Sequence, residues 1–424
     1  MGGWTVNWSN EMNGPSPAPA VNEGVRTAIH HALGWLVCGN TVGLLLSLLL
    51  LKPEWQPGTW TYGRWVPVHL NIQLYGWTAL PLVAWLFSMY DVASSKAARW
   101  APAAVWAWTS SLALAAYGWL SGMTSGKIFL DWKNGALWGF IAALVVLWGV
   151  LAVAWRDHAG GWSIVRKRVS LLGLVLLACV PVSMVMAASP NTYPPIDRTT
   201  GGPTGSSLLG STLIVVGLML LLPRMAGGSG KGRAGRGTWG FFLFSWVVFI
   251  VTELRGGTHF DGAEIFSMLC LLPWAWLIPR DWRGFDWPEK TGIWRGAMLG
   301  WWGVLVISGL AMYAPGILDH LKFTQGLVAH SHLAMAGFTT SFCGLLISLL
   351  TSKSPGGWKS VSAWHLAVLC MVAMLAVMGW REGSNVEWMA VSAGWREAGL
   401  TLRLLCGVVM WGASARWLYQ FGKS

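Results

Sequence analysis

The sequence predicts an all-α, polytopic membrane protein with about twelve transmembrane helices. Of its 424 residues, 54% are apolar and only 11% are Asp, Glu, Lys or Arg, whereas charged residues make up roughly 25% of a typical soluble domain. The mean hydropathy is +0.51. This composition excludes a soluble globular enzyme, a disordered chain and a small disulfide-stabilised scaffold.

The individual helices are predicted from apolar stretches of about 20 residues, the length that crosses a hydrocarbon core of roughly 30 Å. Twelve stretches reach or approach this length, at residues 27–51, 65–90, 98–123, 135–155, 168–189, 206–226, 238–254, 262–279, 294–314, 322–351, 358–380 and 398–420. The seventh and eighth are short and meet at a polar break within 253–262. We therefore predict a single transmembrane domain over residues 1–424, in which residues 1–26 form a polar cytoplasmic N-terminal segment.

The positive charge is explained by membrane orientation. The 29 Lys and Arg residues are spread over short loops, so the net charge of +12 does not form the basic face that a nucleic-acid partner requires. The side that holds both termini carries 19 of them, and the opposite side carries 10. Because Lys and Arg are enriched in cytoplasmic loops, we predict that both termini are cytoplasmic.

Cysteine chemistry is not expected. All six cysteines lie within apolar stretches, and neither C-x-x-C nor C-x-x-C-H occurs. The sequence therefore indicates no disulfide framework, no zinc site and no covalently attached haem.

Histidines within the spans are the strongest functional candidates, since a polar side chain in the bilayer is costly. His69 lies near the outer end of the second span, and His330 and His332 lie in the tenth. Residues i and i+2 of a helix point about 200° apart. His330 and His332 therefore cannot chelate one ion together, but they can serve separate sites on opposite faces of the span.

His69 and His332 are also predicted at compatible depths. Both spans run inward from the outer side, and His332 lies roughly 15 Å down at 1.5 Å per residue. Because imidazole is a common axial ligand of haem iron, the two rings could hold one porphyrin from opposite faces. The alternative is that these histidines are buried groups bonded to neighbouring carbonyls. Interfacial, loop or packed positions are expected for His30, His31, His158, His320 and His365.

Twelve spans, a histidine at the outer end of span two and H-x-H in span ten resemble subunit I of the haem-copper oxidases, in the branch of the cbb3-type cytochrome c oxidases and nitric oxide reductases. The resemblance covers nearly the whole chain in topology but only short stretches in motif. It implies a subunit I-like helical bundle in which His69 and His332 are axial ligands of a low-spin haem. His330 would be an axial ligand of a second haem.

The chain departs from this family at the copper centre. Family members take one copper ligand from span six and an adjacent His-His pair from the end of span seven. The corresponding positions here are Ser206, Gly256 and Gly257, none of which offers an imidazole. Only His259 lies nearby. We therefore expect haem iron to be the only metal and copper to be absent.

The family also implies basic residues that bind the haem propionates on the outer side. Arg381, Arg396 and Arg403 follow span eleven and are the first candidates, since Arg can bond a carboxylate through two N–H groups. Arg64 and Arg255 are the alternatives. Plain interfacial anchoring is the alternative for each of them.

The first functional interpretation is a haem-binding respiratory membrane subunit that carries electrons through a bis-histidine haem of b type, with a second haem as an option. One alternative is an active terminal oxidase that couples cytochrome c oxidation to oxygen reduction through a substitute metal site. The family implies this oxidoreductase activity, but the missing copper ligands argue against it. An alternative from another class is a haem-free transporter, whose broken helices would line a midplane site.

The resemblance implies a cellular setting as well. The chain would be a multi-pass protein of a bacterial-type inner membrane and part of an aerobic respiratory chain. A c-type cytochrome or a c-haem subunit would supply the electrons, because the chain has no covalent haem motif of its own. Other respiratory subunits and membrane lipid would surround it.

Overall fold

A computed structural model describes six segments of the chain, residues 23–127, 129–193, 208–225, 235–256, 261–389 and 394–423. These residues form helices joined by turns, and no strand occurs among them. The predicted all-helical class is therefore confirmed.

Ten helices of the described segments are long and apolar enough to cross a membrane, which confirms a polytopic membrane protein. They are α1 (Glu23–Leu51), α2 (Tyr62–Met89), α4 (Asn134–His158), α5 (Ile164–Ala188), α7 (Arg236–Arg255), α8 (Gly262–Trp282), α9 (Glu289–Met312), α10 (Gln325–Leu350), α11 (Trp358–Ser384) and α12 (Gly394–Gly422).

Two further helices occupy the third and sixth predicted spans. They are α3 (Ala101–Leu120) and α6 (Leu208–Met225). The apolar part of α6 is shorter than a full span, and α3 falls outside the ten. The count of about twelve transmembrane helices therefore stays a prediction. The predicted break between spans seven and eight coincides with the interval between α7 and α8.

The N-terminal boundary differs from the sequence prediction. Helix α1 begins at Glu23 rather than at residue 27. Its first turn carries an acidic residue, Glu23, and negative charge at a helix N-terminus stabilises the helix dipole. Of the predicted polar segment 1–26, residues 1–22 lie outside the described set.

The core of the bundle is built mainly from the two ends of the chain. Helix α1 packs against α2 and α12, and α11 packs against both α10 and α12. In the most apolar stretch of α10, 67% of residues are buried, against 11% in α5 and in α7. The α5 and α7 surfaces are therefore mostly exposed, and they face membrane lipid.

Helices α2 and α10 share an irregularity that the sequence pattern does not show. Each contains a π-helical segment, Ile72–Thr78 in α2 and Leu333–Thr339 in α10. His69 lies three residues before the first segment, and His332 directly precedes the second. A π turn changes which face the following residues occupy, and such turns are frequent at functional sites.

Tryptophans of neighbouring helices hold both π segments. Trp108 Nε1 donates to the carbonyl of Tyr75 at 2.8 Å, and Trp364 Nε1 donates to the carbonyl of Ala336 at 2.9 Å. The two helices are also joined directly, because Trp77 Nε1 donates to Thr340 Oγ1 at 3.1 Å. A buried hydrogen bond thus helps to fix the relative position of the two histidine-bearing helices.

Candidate functional site

A cavity lies within the part of the bundle formed by α1, α2, α10, α11 and α12. Its unfilled space, counted with its opening, is about 910 Å³. Its lining combines apolar and aromatic side chains with a few polar groups, among them Asn40, His69, Gln73, Trp77, Phe129, His332, Met335, Trp364, Met371, Arg403 and Met410. The cavity therefore brings together two of the three predicted haem-ligand histidines.

His69 reaches the cavity from α2 and is held by α1. Its Nδ1 lies 2.9 Å from the carbonyl oxygen of Gly39. One turn further along α1, a methyl group added at Gly43 would lie 3.0 Å from His69 Cε1. The absence of a side chain at Gly43 lets α1 lie directly against the imidazole and leaves the ring little room to tilt.

His332 reaches the same cavity from α10 and is held by its own helix. Its Nδ1 lies 2.8 Å from the carbonyl oxygen of Val328, one turn earlier. Both rings line the cavity and keep accessible surface that faces it. Among the described residues, no hydrogen bond is made by Nε2 of either ring.

This pattern of bonds defines what the two rings can do. A carbonyl oxygen can only accept, so Nδ1 of each neutral imidazole carries the proton, and Nε2 keeps its lone pair. An imidazole fixed in this way by a backbone carbonyl is the usual form of a metal-ligating histidine. The cavity therefore holds two oriented lone-pair donors from two different helices.

Arg403 of α12 lines the same cavity and is buried. Its Nη1 donates to Gln325 Oε1 at 3.2 Å, and no carboxylate of the described residues lies within 4.0 Å of it. A buried charge without a counter-ion is costly in a membrane protein. An anionic group bound in the cavity would remove this cost.

The other two predicted propionate-binding arginines lie outside the cavity lining. Arg396 Nε lies 3.6 Å from Oε1 of Glu382, whose carboxylate is buried. Arg381 is exposed, and its guanidinium lies 5.2 Å from the ring centroid of Trp395. Of the three candidates, the structure brings only Arg403 to the two histidines.

His330 points to a different part of the molecule. Its Nδ1 lies 3.3 Å from Ser308 Oγ of α9, and a methyl group added at Gly309 would lie 3.7 Å from its Cε1. It does not line the cavity of His69 and His332. The predicted separation of the H-x-H pair onto two faces of span ten is thus seen in the side-chain contacts.

The predicted copper region is only partly described. Ser206, Gly257 and His259 lie outside the described residues. Gly256 ends α7 with a φ of 68°, a conformation that favours glycine. Within the segments that the structure describes, no group of three or more His, Cys, Asp or Glu side chains is placed to hold a metal ion.

The loop between α3 and α4 is part of the site, although no motif in the sequence predicted this. Phe129 of this loop lines the cavity with a φ of 63°, and its carbonyl accepts a hydrogen bond from the Tyr75 hydroxyl at 2.8 Å. A non-glycine residue with positive φ marks a constrained backbone. The two glycines of this loop, Gly122 and Gly126, were the available sign of a constrained turn in the sequence. Both adopt positive φ in the structure.

The same loop is anchored to α5. The buried Lys127 amine contacts the carbonyl of Ala187 and lies 3.4 Å from that of Ser189. Burial lowers the pKa of the Lys127 amine, and the nearby Asp131 carboxylate raises it in part. The loop that carries Phe129 is therefore fixed at both the cavity and the helix beside it.

The isolated histidine of α11 is packed in the core, as the sequence suggested. His365 Nδ1 accepts a hydrogen bond from Trp301 Nε1 at 3.0 Å, and its ring lies edge-on to Trp294. It takes no part in the cavity lining.

Fold and site together define a polytopic helical membrane protein with a buried, two-histidine cavity. Comparison with protein-family models and with curated proteins finds no match to this chain.

Proposed function

We propose that this protein is a haem-binding electron-transfer subunit in which His69 and His332 are the two axial ligands of one haem. The observation that carries the proposal is the pair of imidazoles in one cavity, each with Nδ1 bonded to a backbone carbonyl and Nε2 without a hydrogen-bond partner among the described residues. Two such donors from separate helices suit the two axial positions of a haem iron.

The remaining lining fits the same group. The buried guanidinium of Arg403, which has no carboxylate partner in the described segments, would bind a propionate. Trp77, Trp364 and the three methionines of the lining offer apolar and polarisable surface to a flat aromatic ring. Phe129 would cover one edge.

The chain's own residues then set the chemistry. When bound, a haem supplies a one-electron redox couple. His69 and His332 would hold this group through Nε2, and a gas would then have to displace one of the two imidazoles to bind there. The apolar lining would exclude water and the carbonyls of Gly39 and Val328 would hold the rings in place, so that little rearrangement accompanies electron transfer. We therefore favour electron transfer over oxygen chemistry at this site.

The proposed setting follows from the resemblance to the haem-copper oxidase superfamily and from the charge distribution. Both termini would lie on the cytoplasmic side of a bacterial-type inner membrane. Electrons would arrive from a c-type cytochrome or a c-haem subunit on the outer side, toward which the N-terminal halves of α2 and α12 carry His69 and Arg403. A second haem on His330 and the absence of copper belong to the same proposal.

A visible spectrum of the purified protein tests the proposal. We expect the split bands of a b-type haem on reduction, and a His69→Ala variant should lose them. His320→Ala is the matched control, because His320 bonds the carbonyl of Trp380 outside the cavity. A colourless protein would favour the transporter, and one copper per chain with fast cytochrome c oxidation would favour the terminal oxidase.

A further inference from the structure

A second, apolar groove lies on the exposed surface of the bundle between α4 and α5. Its unfilled space, counted with its opening, is about 1180 Å³. Its walls are almost entirely hydrophobic, with Trp148 from α4 and Leu171, Leu174 and Val182 from α5. Trp148 Nε1 donates to the carbonyl of Leu174 at 3.0 Å, which ties the two walls together.

The groove has the length of one membrane leaflet. Its lining residues on α5 run from Leu171 to Ser183. At 1.5 Å per residue this is roughly 18 Å. Half of a hydrocarbon core of about 30 Å is about 15 Å. One extended acyl chain therefore matches the groove from end to end.

The end of the groove that lies near the α4–α5 turn is basic. Arg156 lines it, and Lys167 lies beside it in the first turn of α5. Neither has a carboxylate within 4.0 Å among the described residues. The nearby carboxylates interact with other groups. Asp91 pairs with Arg166 at 2.7 Å, and Asp157 accepts a hydrogen bond from a backbone N–H of the α2–α3 loop at 2.9 Å.

An unused hydrogen-bond donor lies at the same end. Trp155 lines the groove, and its Nε1 is buried without a hydrogen-bond partner among the described residues. The Lys167 amine lies 6.0 Å from the centroid of the Trp155 ring. The face of the Trp155 ring therefore helps to hold the Lys167 charge beside this end of the groove.

We propose that this groove is a specific site for one phospholipid with an anionic headgroup. One acyl chain lies in the groove between Trp148 and Val182. The headgroup phosphate is bound by Arg156 and Lys167. The argument is independent of the haem proposal, since no residue of the groove lines the two-histidine cavity.

Native mass spectrometry of the full chain, extracted gently from mixed phosphatidylcholine and phosphatidylglycerol vesicles, tests this site. We expect about one phosphatidylglycerol to be retained per chain. The double variant Arg156→Gln/Lys167→Gln should bind it about 25-fold more weakly, because each basic side chain near an anionic surface contributes about fivefold. Ala178→Phe should also release the lipid, since Ala178 lines the groove.

Two matched variants control for charge and for bulk. Lys353→Gln/Lys359→Gln removes the same charge from exposed residues on the same predicted side of the membrane, and it should retain the lipid. Leu176→Phe adds an aromatic ring to α5 at an exposed position outside the groove, and it should also retain the lipid.

Three results would overturn the proposal. The first is a wild-type chain that retains no phosphatidylglycerol in preference to phosphatidylcholine. The second is equal retention by Arg156→Gln/Lys167→Gln. The third is equal retention by Ala178→Phe, which would mean that the basic end attracts headgroups while the groove holds no acyl chain.

Discussion

The two histidines of α10 are two residues apart, yet the faces that carry them are built differently. His332 faces a cavity enclosed by α1, α2, α11 and α12, and the carbonyl of Val328 fixes its ring. His330 faces α9, where Ser308 Oγ lies 3.3 Å from its Nδ1. On one face of α10 the imidazole therefore has an oriented, unused lone pair in a cavity. On the other face the imidazole has a side-chain contact with a neighbouring helix.

The buried charge of the bundle sharpens this contrast. Arg403 lies on the cavity side and approaches only the neutral amide of Gln325. Gln325 in turn donates its backbone N–H to Glu382 at 2.8 Å, and Glu382 pairs with Arg396. One arginine of this network is thus balanced by a carboxylate and the other is not. The difference indicates where an anionic ligand would bind.

The largest effect is expected for the axial positions. A His332→Gly variant should lose nearly all low-spin haem absorbance, because the iron would lose one of its two proposed histidine ligands. Imidazole added to the medium should restore the bands if the variant is folded, since it refills the space left by the side chain. An unchanged reduced spectrum in His332→Gly would show that the cavity face is not the haem site.

Arg403 should have the next largest effect. Replacing it with Gln removes charge-assisted hydrogen bonds, each typically worth about 1.5–3 kcal/mol. We expect haem to be lost to an acceptor protein roughly 10 to 100 times faster. Arg381→Gln is the control, because that side chain stacks over Trp395 outside the cavity. A larger effect of Arg381→Gln than of Arg403→Gln would contradict this choice of propionate ligand.

A smaller effect is expected at the contact between α1 and His69. Alanine in place of a helical glycine usually stabilises by about 0.5–1 kcal/mol, and Gly34→Ala should show this gain because nothing lies within 4 Å of the added carbon. Gly43→Ala should not show this gain in stability, since the added Cβ would lie 3.0 Å from His69 Cε1. Thermal unfolding measures the difference, and electron paramagnetic resonance of the oxidised haem should report a rotated ring. Identical behaviour of the two variants would refute the contact.

The smallest effect is expected on the other face of α10. His330→Ala removes one weak contact with Ser308, so the free energy of unfolding should fall by about 0.5–1.5 kcal/mol. The low-spin bands should stay. If the wild type shows a spectral shift with carbon monoxide, this variant should abolish it, because carbon monoxide needs an iron with an open position. Loss of the low-spin bands in His330→Ala would reverse the roles of the two faces.

The helical class and the approximate places of the helices follow from local properties of the sequence. A run of about 20 apolar residues cannot leave its backbone groups unpaired in lipid, so it forms a helix wherever it lies in the bundle. The opposite facing of His330 and His332 is equally local, since it depends only on 100° per residue. The same local properties do not fix the number of spans, because α3 and α6 lie at the limit of length and apolarity.

Contacts between residues far apart in the chain determine which side chains meet at the cavity. In the sequence, three arginines are equal candidates for binding a propionate. Only the packing of α12 against its neighbours distinguishes Arg403 from Arg381 and Arg396. The π segments of α2 and α10 depend on indole donors from α3 and α11, which lie 28 or more residues away in the chain. Phe129 reaches the cavity because Tyr75 binds its carbonyl. Such hydrogen bonds join distant residues and leave no periodic signal in the sequence, so their consequences appear only when the helices are packed together.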